Sequence, residues 1–308
     1  MKKTWGDKRY HSLNYFLRNK FKEKVFKISL DAGFSCPNRD GTISYGGCIY
    51  CSERGSGDFA GDRNFSISSQ FEDIKLMMNK KWKNGKYIAY FQAYTNTYDS
   101  IDRLKERYDE AVRQEGVVAL AIATRPDCLS EEVIELISSY TDKVYTWVEL
   151  GLQTANEEIA KLINRGYTLD VFEDALLRLR KRNIDVVVHT ILGLPEEEEE
   201  DIINTIKYLS HKDIQGIKLH LLHLLKGTPL VKLYEEGRLT FFSQEQYIDL
   251  ICKIITLLPQ DMVIHRLTGD APRSLLIEPV WSLKKWEILN NIDSKLEEED
   301  LYQGKCYK

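Results

Sequence analysis

The sequence lacks any apolar run long enough to cross a membrane. Its longest apolar runs are short, for example VVALAIA at 117–123, whereas a membrane helix requires about 18 consecutive apolar residues. No apolar run follows the charged stretch MKKTWGDKRYHS at 1–12, so we expect no secretory signal. The net charge is only −4 with 29% charged residues, which excludes a general attraction to nucleic acid. Together these absences predict a cytoplasmic protein.

Cysteine is also scarce, and half of the six cysteines lie in one segment, SCPNRDGTISYGGCIYC at 35–51. Disulfides are rare in the cytoplasm, so Cys36, Cys48 and Cys51 are better candidates for metal ligands than for a covalent link. A structural zinc site uses four ligands, but this segment has three cysteines and no histidine. Three thiolates on a [4Fe–4S] cluster would leave one iron open, as a catalytic metal requires.

Two alternatives to a cluster stay open. One is a zinc site with Cys128 as its fourth ligand. The other is three unrelated buried cysteines, since free cysteine is often buried. Cys128, Cys252 and Cys306 are isolated in the sequence, and they are not predicted to bind the cluster.

Apolar runs alternate with helix-like stretches along most of the chain. The runs are 24–30, 86–93, 117–124, 143–153, 184–193 and 214–225, and the helix-like stretches are 66–84, 99–114, 130–140, 168–182 and 197–210. This alternation predicts βαβ units and a parallel sheet. Six strands are too few for a closed eight-stranded barrel, so the sheet is either an open three-quarter barrel or doubly wound. In both cases ligands bind at the carboxyl ends of the strands.

The chain divides into three predicted parts. Residues 1–24 form a basic aromatic arm, residues 25–226 form the core, and residues 227–308 form a mainly helical extension that packs on the core. One short strand is expected near 262–267 within this extension.

The cysteine segment and several strand ends resemble the radical SAM enzymes. The motifs are CPNRDG, GGCIYC, FQAYTNTY, ATRPDCL, ELGLQT, NRGYT, HTILGLP, KLHLLHLLKGTPL and RLTGDAP. Eleven residues separate the first two cysteines, where the usual number is three. That spacing resembles the Elongator-catalytic-subunit-like branch, and within it the YtqA/YhcC-type (MnmL-like) bacterial group. The predicted fold is accordingly an open partial TIM barrel, (β/α)6, with the cluster loop after strand 1.

The resemblance implies both the cofactors and the reaction class. Cys36, Cys48 and Cys51, with Tyr50 before the last of them, would hold a [4Fe–4S] cluster whose free iron binds S-adenosylmethionine. An electron donor such as flavodoxin or ferredoxin would supply the electron that produces a 5′-deoxyadenosyl radical. By the same resemblance, Gln153 and Arg165 contact the cofactor.

Other strand ends supply further candidates. A charged Glu149 inside an apolar strand is costly unless it is paired, so it is either a cofactor contact or part of a structural salt bridge. His189 resembles the ribose-side position of the superfamily, and Gly193 lies in its adenine-side pattern. Strand 2 offers Gln92, with Thr95 and Asn96 as further acceptors, for the methionyl amine.

Strand 6 places Lys218 and His220 on one face, where they would suit an anionic substrate. We assign them a catalytic role, although surface positions on an edge strand are a competing interpretation. Arg266, Asp270 and Arg273 are candidates to close the site from the extension.

The first 27 residues carry a net charge of +7 in a chain of −4, and Trp5, Tyr10, Tyr15, Phe16 and Phe21 are interleaved with these charges. Such a combination suits the unpaired bases of an RNA loop, and 79–86 is a smaller basic patch. The competing interpretation is a basic helix packed on an acidic body.

The resemblance implies that the substrate is tRNA, with a wobble uridine converted from carboxymethylaminomethyl toward aminomethyl. Two other functions remain: a radical SAM enzyme acting on a small metabolite or a protein, and a zinc- or cluster-binding protein without turnover.

Overall fold

The computed structural model describes residues 4–79 and 85–308. The strands are β1 (Val25–Leu30), β2 (Lys86–Phe91), β3 (Val117–Thr124), β4 (Tyr145–Gln153), β5 (Asp185–Leu192), β6 (Gly216–Leu221), β7 (Leu224–Leu225), β8 (Val263–Arg266) and β9 (Leu276–Glu278). The helices are α1 (Leu13–Phe21), α2 (Ile67–Asn79), α3 (Ile101–Val112), α4 (Glu131–Thr141), α5 (Glu157–Leu162), α6 (Leu169–Lys181), α7 (Glu199–Ser210), α8 (Leu230–Glu235), α9 (Gln244–Leu257) and α10 (Lys285–Glu298). Short 3₁₀ helices occupy 126–128 and 280–283.

Seven parallel strands form the main sheet in the order β1-β2-β3-β4-β5-β6-β8. The six strands predicted for the core form β1 to β6 in sequence order, and the partial TIM barrel is confirmed. The seventh strand, β8, is the short strand expected near 262–267, and it extends the barrel beyond the (β/α)6 prediction. The other two strands, β7 and β9, pair antiparallel in a separate small sheet.

The main core lies between the sheet and its helices. Strands covered on both faces are continuously apolar, as in β3, whose last six residues are all buried. The helices bury one stripe each; α3 buries Leu104, Tyr108 and Ala111. Ser130 begins α4 by accepting a hydrogen bond from the Val133 amide at 3.3 Å. The core also includes residues of α9 and α10, two helices of the predicted extension.

The aromatic side chains of the predicted arm are packed inside the protein. Trp5 and Tyr10 are only 2% and 7% exposed. The rings of Phe16 and Phe21 lie 5.7 and 6.5 Å from the ring of Tyr145 on β4. An exposed arm that stacks on bases is therefore wrong for this part of the chain.

Some of the positive charges of this segment are paired within the protein, whereas Arg18, Lys20 and Lys22 are exposed. Lys8 pairs with Asp293 of α10, and Arg9 pairs with Asp300 at 2.8 Å. Lys20 Nζ lies 4.1 Å from the centre of the Tyr145 ring. The structure thus favours the competing interpretation of a segment packed on the protein, while Arg18 and Lys20 of α1 remain exposed. Lys2, Lys3 and residues 80–84 of the smaller basic patch lie outside the described residues.

The α1 helix fills the amino end of the barrel. Leu17 is 4% exposed and joins an inner cluster with Ala119 and Trp147. Just before α1, Ser12 forms a bridge with Ile264 of β8, so this segment covers the end of the barrel opposite the carboxyl ends of the strands. In the described ranges no helix is long and apolar enough to cross a membrane.

Candidate active site

A cavity of about 690 Å³ opens at the carboxyl end of the main sheet. All seven strands of the main sheet contribute side chains to its wall, among them Lys27, Tyr90, Glu149, His189 and Lys218. Parts of 36–59, after β1, and of 270–285 in the extension complete the wall. Parallel α/β barrels bind their ligands at this end, which is where the sequence placed the site.

The segment 35–51, which we call the cysteine loop, folds through tight turns. The amides of Arg39 and Asp40 donate to the Cys36 carbonyl at 2.8 and 3.2 Å. Gly47 has a φ of +83°, and a Cβ at this position would lie 2.8 Å from Arg39 Nε. Glycine is therefore required where the loop turns toward the last two cysteines.

Two other segments support the cysteine loop from behind. The Ile49 amide donates to the Ile163 carbonyl at 3.1 Å, and the Leu230 amide donates to the Ile49 carbonyl at 3.3 Å. Asn164 Nδ2 also donates to the Gly47 carbonyl at 2.8 Å. These bonds fix the backbone on both sides of Cys48, which is how a ligand loop keeps its geometry.

Cys36, Cys48 and Cys51 all line the cavity. A hydrogen bond from Cys51 lowers the pKa of Cys48 to about 6, so the two sulfurs are neighbours. Within 4–79 and 85–308, no three His, Cys, Asp or Glu side chains are arranged to hold one metal ion. Three thiolates on a [4Fe–4S] cluster leave one iron open, whereas a structural zinc site takes four protein ligands. The donor set therefore fits a [4Fe–4S] cluster better than zinc.

The remaining cysteines lie elsewhere. Cys128 Sγ contacts Asp127 at 3.8 Å, Cys252 Sγ contacts the Ile292 carbonyl at 3.8 Å, and Cys306 is exposed. The part of the cavity wall that the described residues form contains none of the three. The structure therefore does not support a zinc site completed by Cys128.

Glu149 is the centre of a buried charge network inside the barrel. Its Oε2 accepts hydrogen bonds from His189 Nε2 at 2.9 Å and from Lys218 Nζ. Its Oε1 accepts one from Trp147 Nε1 at 3.2 Å, and Lys27 Nζ lies 3.7 Å away. The Glu149 side chain is 0% exposed, so the structure favours the structural salt bridge over the cofactor contact.

The charges of this network fix the ionisation of its members. Burial raises the pKa of Glu149, but Lys218, Lys27 and a hydrogen bond from His189 outweigh it and hold this pKa well below its usual range. Burial also lowers the pKa of His189 to about 4, and Lys218 adds to that shift. His189 is therefore neutral at pH 7, with its Nε2–H directed at the carboxylate.

The two residues predicted to bind the substrate differ in their surroundings. Lys218 is 4% exposed in its side chain, and its ammonium is bound by Glu149 and by the Tyr90 hydroxyl at 3.2 Å. The proposed role of Lys218 in holding a substrate anion is therefore not supported. His220 lines the cavity, and its buried Nε2 has no hydrogen-bond partner among the described residues.

Gln92, Gln153 and Tyr50, which are predicted to bind the cofactor, line the cavity. Gln153 ends β4 in the left-handed region at φ 65°, where the pairing with β5 shifts register. Its Oε1 accepts a hydrogen bond from Tyr167 at 3.1 Å. Gln92 Nε2 donates to the Ser56 carbonyl at 2.7 Å, beside the cysteine loop. Their contacts with a cofactor remain predictions.

Arg165 does not face the cavity, and its predicted role is corrected. The side chain is 1% exposed and all five of its N–H groups are engaged. Three hydrogen bonds go to backbone carbonyls at 2.8–3.1 Å, and two go to the Glu157 carboxylate at 3.1 and 3.2 Å. Arg165 thus ties the end of β4 to α5, and it has no donor left for a methionyl carboxylate.

Gly193 and Asn96 also lie outside the cavity wall. The Gly193 amide donates to Glu197 Oε2 at 2.9 Å, and a Cβ there would lie 3.0 Å from Phe242. Asn96 is fully buried, and its Nδ2 donates to the Phe91 and Ala123 carbonyls at 3.1 and 2.8 Å. The structure therefore supports neither an adenine contact for Gly193 nor an amine contact for Asn96.

Lys27 and Tyr90 are residues of the cavity wall that were not predicted from the sequence. The sequence did contain a signal for Lys27, because Lys27 and Ser29 are two residues apart in β1 and therefore share one face of the strand. Both line the cavity. Of the residues expected to close the site, Arg266 and Asp270 do line it and pair at 2.9 Å. Arg273 is exposed and is not part of the wall.

The chain matches two family models over most of its length. The model described as the Radical SAM superfamily matches residues 36–209, and the Radical_SAM C-terminal domain matches residues 214–298. The first match covers more than half of the chain, so the protein belongs to the radical SAM superfamily. Members bind a [4Fe–4S] cluster and S-adenosylmethionine, and these are its cofactors.

Full-length relatives place the chain more closely. It is 50% identical to YtqA of Bacillus subtilis over 302 residues, which cover 98% of this chain and 94% of YtqA. It is 36% identical to YhcC of Escherichia coli over 283 residues, covering 92% and 90% of the two chains. The predicted YtqA/YhcC-type group is thus confirmed.

A solved structure supports the fold. Methanocaldococcus infernus Elp3 with an N-terminal deletion superimposes with a TM-score of 0.69 and 18% identity, over 91% of this chain and 64% of Elp3. This likeness concerns the fold alone.

Proposed function

We propose that this radical SAM enzyme acts on tRNA and converts a carboxymethylaminomethyl group on the wobble uridine toward aminomethyl. The observation that carries the proposal is the cavity, because its mouth presents three cysteines and its inner end presents Lys27 beside the Glu149–Lys218 pair, with two histidines. This arrangement suits a substrate that reaches past the cofactor and carries a negative charge. The substrate identity rests on the resemblance to the YtqA/YhcC-type group.

In this proposal Cys36, Cys48 and Cys51 are the cluster ligands. When bound, the cluster and S-adenosylmethionine supply a 5′-deoxyadenosyl radical that abstracts hydrogen. Tyr50 and Gln153 border the space beside the cysteines. The same proposal places the protein in the cytoplasm and includes an electron donor such as flavodoxin or ferredoxin.

A surface beside the cavity mouth supports RNA as the substrate class. Trp286 is 78% exposed at the start of α10. Two lysines precede it: Lys284 is 65% exposed in its side chain and pairs with Glu287 at 3.1 Å, and Lys285 lines the cavity. An exposed ring beside basic residues can stack on an unpaired base while those residues approach phosphates. A wobble base already lies in an unpaired loop, so little energy is needed to bring it there.

The wobble nucleosides of total tRNA test the proposal directly. A strain without this protein is expected to accumulate carboxymethylaminomethyluridine and to lack the aminomethyl form, measured by mass spectrometry of digested tRNA. Wild-type protein supplied in trans should restore the profile, and the Cys48→Ala variant should not. An unchanged profile would favour a small metabolite or a protein as the substrate. If purified protein carries zinc and never cleaves S-adenosylmethionine, the binding protein without turnover becomes the function.

Trp286→Ala is expected to weaken tRNA binding by about tenfold or more, because a base stacked on an aromatic ring contributes about 1–3 kcal/mol. Affinity would be measured by filter binding at two salt concentrations. Trp286→Phe keeps an aromatic face and should retain most of the affinity. Leu177→Ala is the matched control, since Leu177 is 55% exposed on the outer helix α6. Equal affinity in all variants would remove Trp286 from the RNA interface. A loss of self-association instead would identify it as a protein contact.

A further inference from the structure

We infer that the inner end of the cavity is an anion-binding subsite in which Lys27 binds a carboxylate of the substrate. The identity of that substrate rests on the proposed function, but the subsite itself follows from the charges of the wall.

The cavity wall carries more positive than negative side chains. The cations are Lys27, Arg39, Arg125, Lys218, Arg266 and Lys285, and the acids are Asp58, Glu149 and Asp270. Charges held away from bulk water are costly unless they are paired. A wall with this imbalance is therefore prepared for an anion.

Most of these cations are already engaged. Arg125 makes two hydrogen bonds to Asp127 at 2.9 and 2.7 Å, just behind the wall. Asp270 accepts from both Arg266 and Lys285 at 2.7–2.9 Å. Arg39 of the cysteine loop donates hydrogen bonds to backbone carbonyls, one of which is the Cys51 carbonyl at 3.1 Å. Lys218 is held by Glu149, as described above.

Lys27 differs from the other cations in its contacts. Its Nζ is 3.7 Å from Glu149 Oε1, which is longer than a hydrogen bond. It lies 4.3 Å from the centre of the Tyr90 ring, and its side chain remains 27% exposed, into the cavity that it lines. The ammonium thus keeps donors that can reach an added carboxylate.

His220 provides a second polar group on this part of the wall. Its Nε2 is buried without a hydrogen-bond partner in the described ranges, and its ring centre lies 5.1 Å from that of His189. An unsatisfied buried nitrogen is unfavourable, and a ligand in the cavity would satisfy it.

The depth of Lys27 separates this subsite from the cofactor. Lys27 lies three residues before Leu30, the last residue of β1, and therefore about 10 Å below the end of that strand. The first cysteine follows six residues after that end. The carboxylate of S-adenosylmethionine belongs at the cysteine loop, so the anion at Lys27 is a group of the substrate. The substrate's reacting carbon then lies between this anion and the mouth.

Acetate is a probe of the subsite that requires neither turnover nor cofactor. We expect sodium acetate to raise the melting temperature of the protein above its value in sodium chloride at the same ionic strength. Lys27→Met should remove this difference between the two salts, and Lys27→Arg should retain it. Because each variant is compared with itself, a change in its basal stability does not affect the result. Lys232→Met, at a lysine that is 81% exposed on α8, is the matched control. An acetate effect that persists in Lys27→Met overturns the inference, as does its absence from wild type.

A second measurement uses the proposed substrate. Lys27→Met should raise KM for tRNA that bears carboxymethylaminomethyluridine by about tenfold or more, which is the value of a lost charged hydrogen bond. Binding of tRNA with the aminomethyl group should stay unchanged, because that group has no carboxylate. If wild type responds to acetate but does not convert this tRNA, the proposed function fails and the subsite stands. If KM is the same in wild type and Lys27→Met, the inference fails and the function stands.

Discussion

Replacing Cys36, Cys48 or Cys51 with alanine is expected to remove iron and sulfide almost completely, whereas anaerobically prepared wild type should hold about four of each per chain. Each cysteine is the sole protein ligand of one iron in this arrangement, and the loop that carries them has no other thiol. Loss of one ligand would leave two irons exposed. Iron and sulfide analysis together with the visible absorption spectrum measures the effect.

The other three cysteines provide the controls. Cys128→Ala, Cys252→Ala and Cys306→Ala should keep the full iron content, since these thiols lie outside the cavity wall as described. Circular dichroism would show whether each variant has kept its fold, which matters most for the buried Cys252. A requirement for Cys128 in iron binding, or zinc as the only metal in wild type, would refute the three-cysteine assignment.

Glu149→Ala is expected to reduce the free energy of unfolding by about 3–5 kcal/mol, because it leaves Lys218 buried without its partner. Lys218 is 4% and Glu149 is 0% exposed in the side chain, so solvent cannot replace the missing contact. Urea titration of the apoprotein measures this loss without the cofactors.

A paired variant separates the ion pair from the space that it fills. Glu149→Leu combined with Lys218→Met removes both charges, and it should be closer to wild type than Glu149→Ala. The wild-type ion pair should also depend on pH. The pKa of Glu149 is lowered in the folded state, so its stabilisation is complete above the unfolded pKa of about 4.3 and is lost as the pH falls through the folded value. If the double variant is as unstable as Glu149→Ala, the charges do not explain the loss.

The strands and the cysteine loop could be predicted because their signals are local. Strands buried on both faces need continuous apolar residues, and a metal loop needs its thiols close in sequence. The seventh strand, β8, has only four residues. The sequence of so short a segment does not show that it pairs with β6 in the main sheet rather than with another strand of the extension.

The errors concern residues whose partners are determined by tertiary packing. Arg165 binds backbone carbonyls and Glu157, and these bonds depend on how α5 packs against β4. The positive charges near Trp5 are paired with Asp293 and Asp300, almost 300 residues later. A basic, aromatic segment has the same composition whether it binds RNA or packs against an acidic helix. Only the tertiary contacts distinguish the two.

The contacts of residues 9–12 determine when the barrel can be completed on the ribosome. The Gln303 amide donates to the Arg9 carbonyl at 3.0 Å, the His11 amide to Gln303 Oε1 at 2.7 Å, and the Ile264 amide to the His11 carbonyl at 2.8 Å. About 250 to 290 residues must be translated between these partners, which takes roughly 13 to 60 s at usual elongation rates. During that interval the apolar face of α1 has no completed barrel to cover. Contacts between residues so far apart in the sequence form late and slowly. Until they form, the nascent chain exposes hydrophobic surface that chaperones bind.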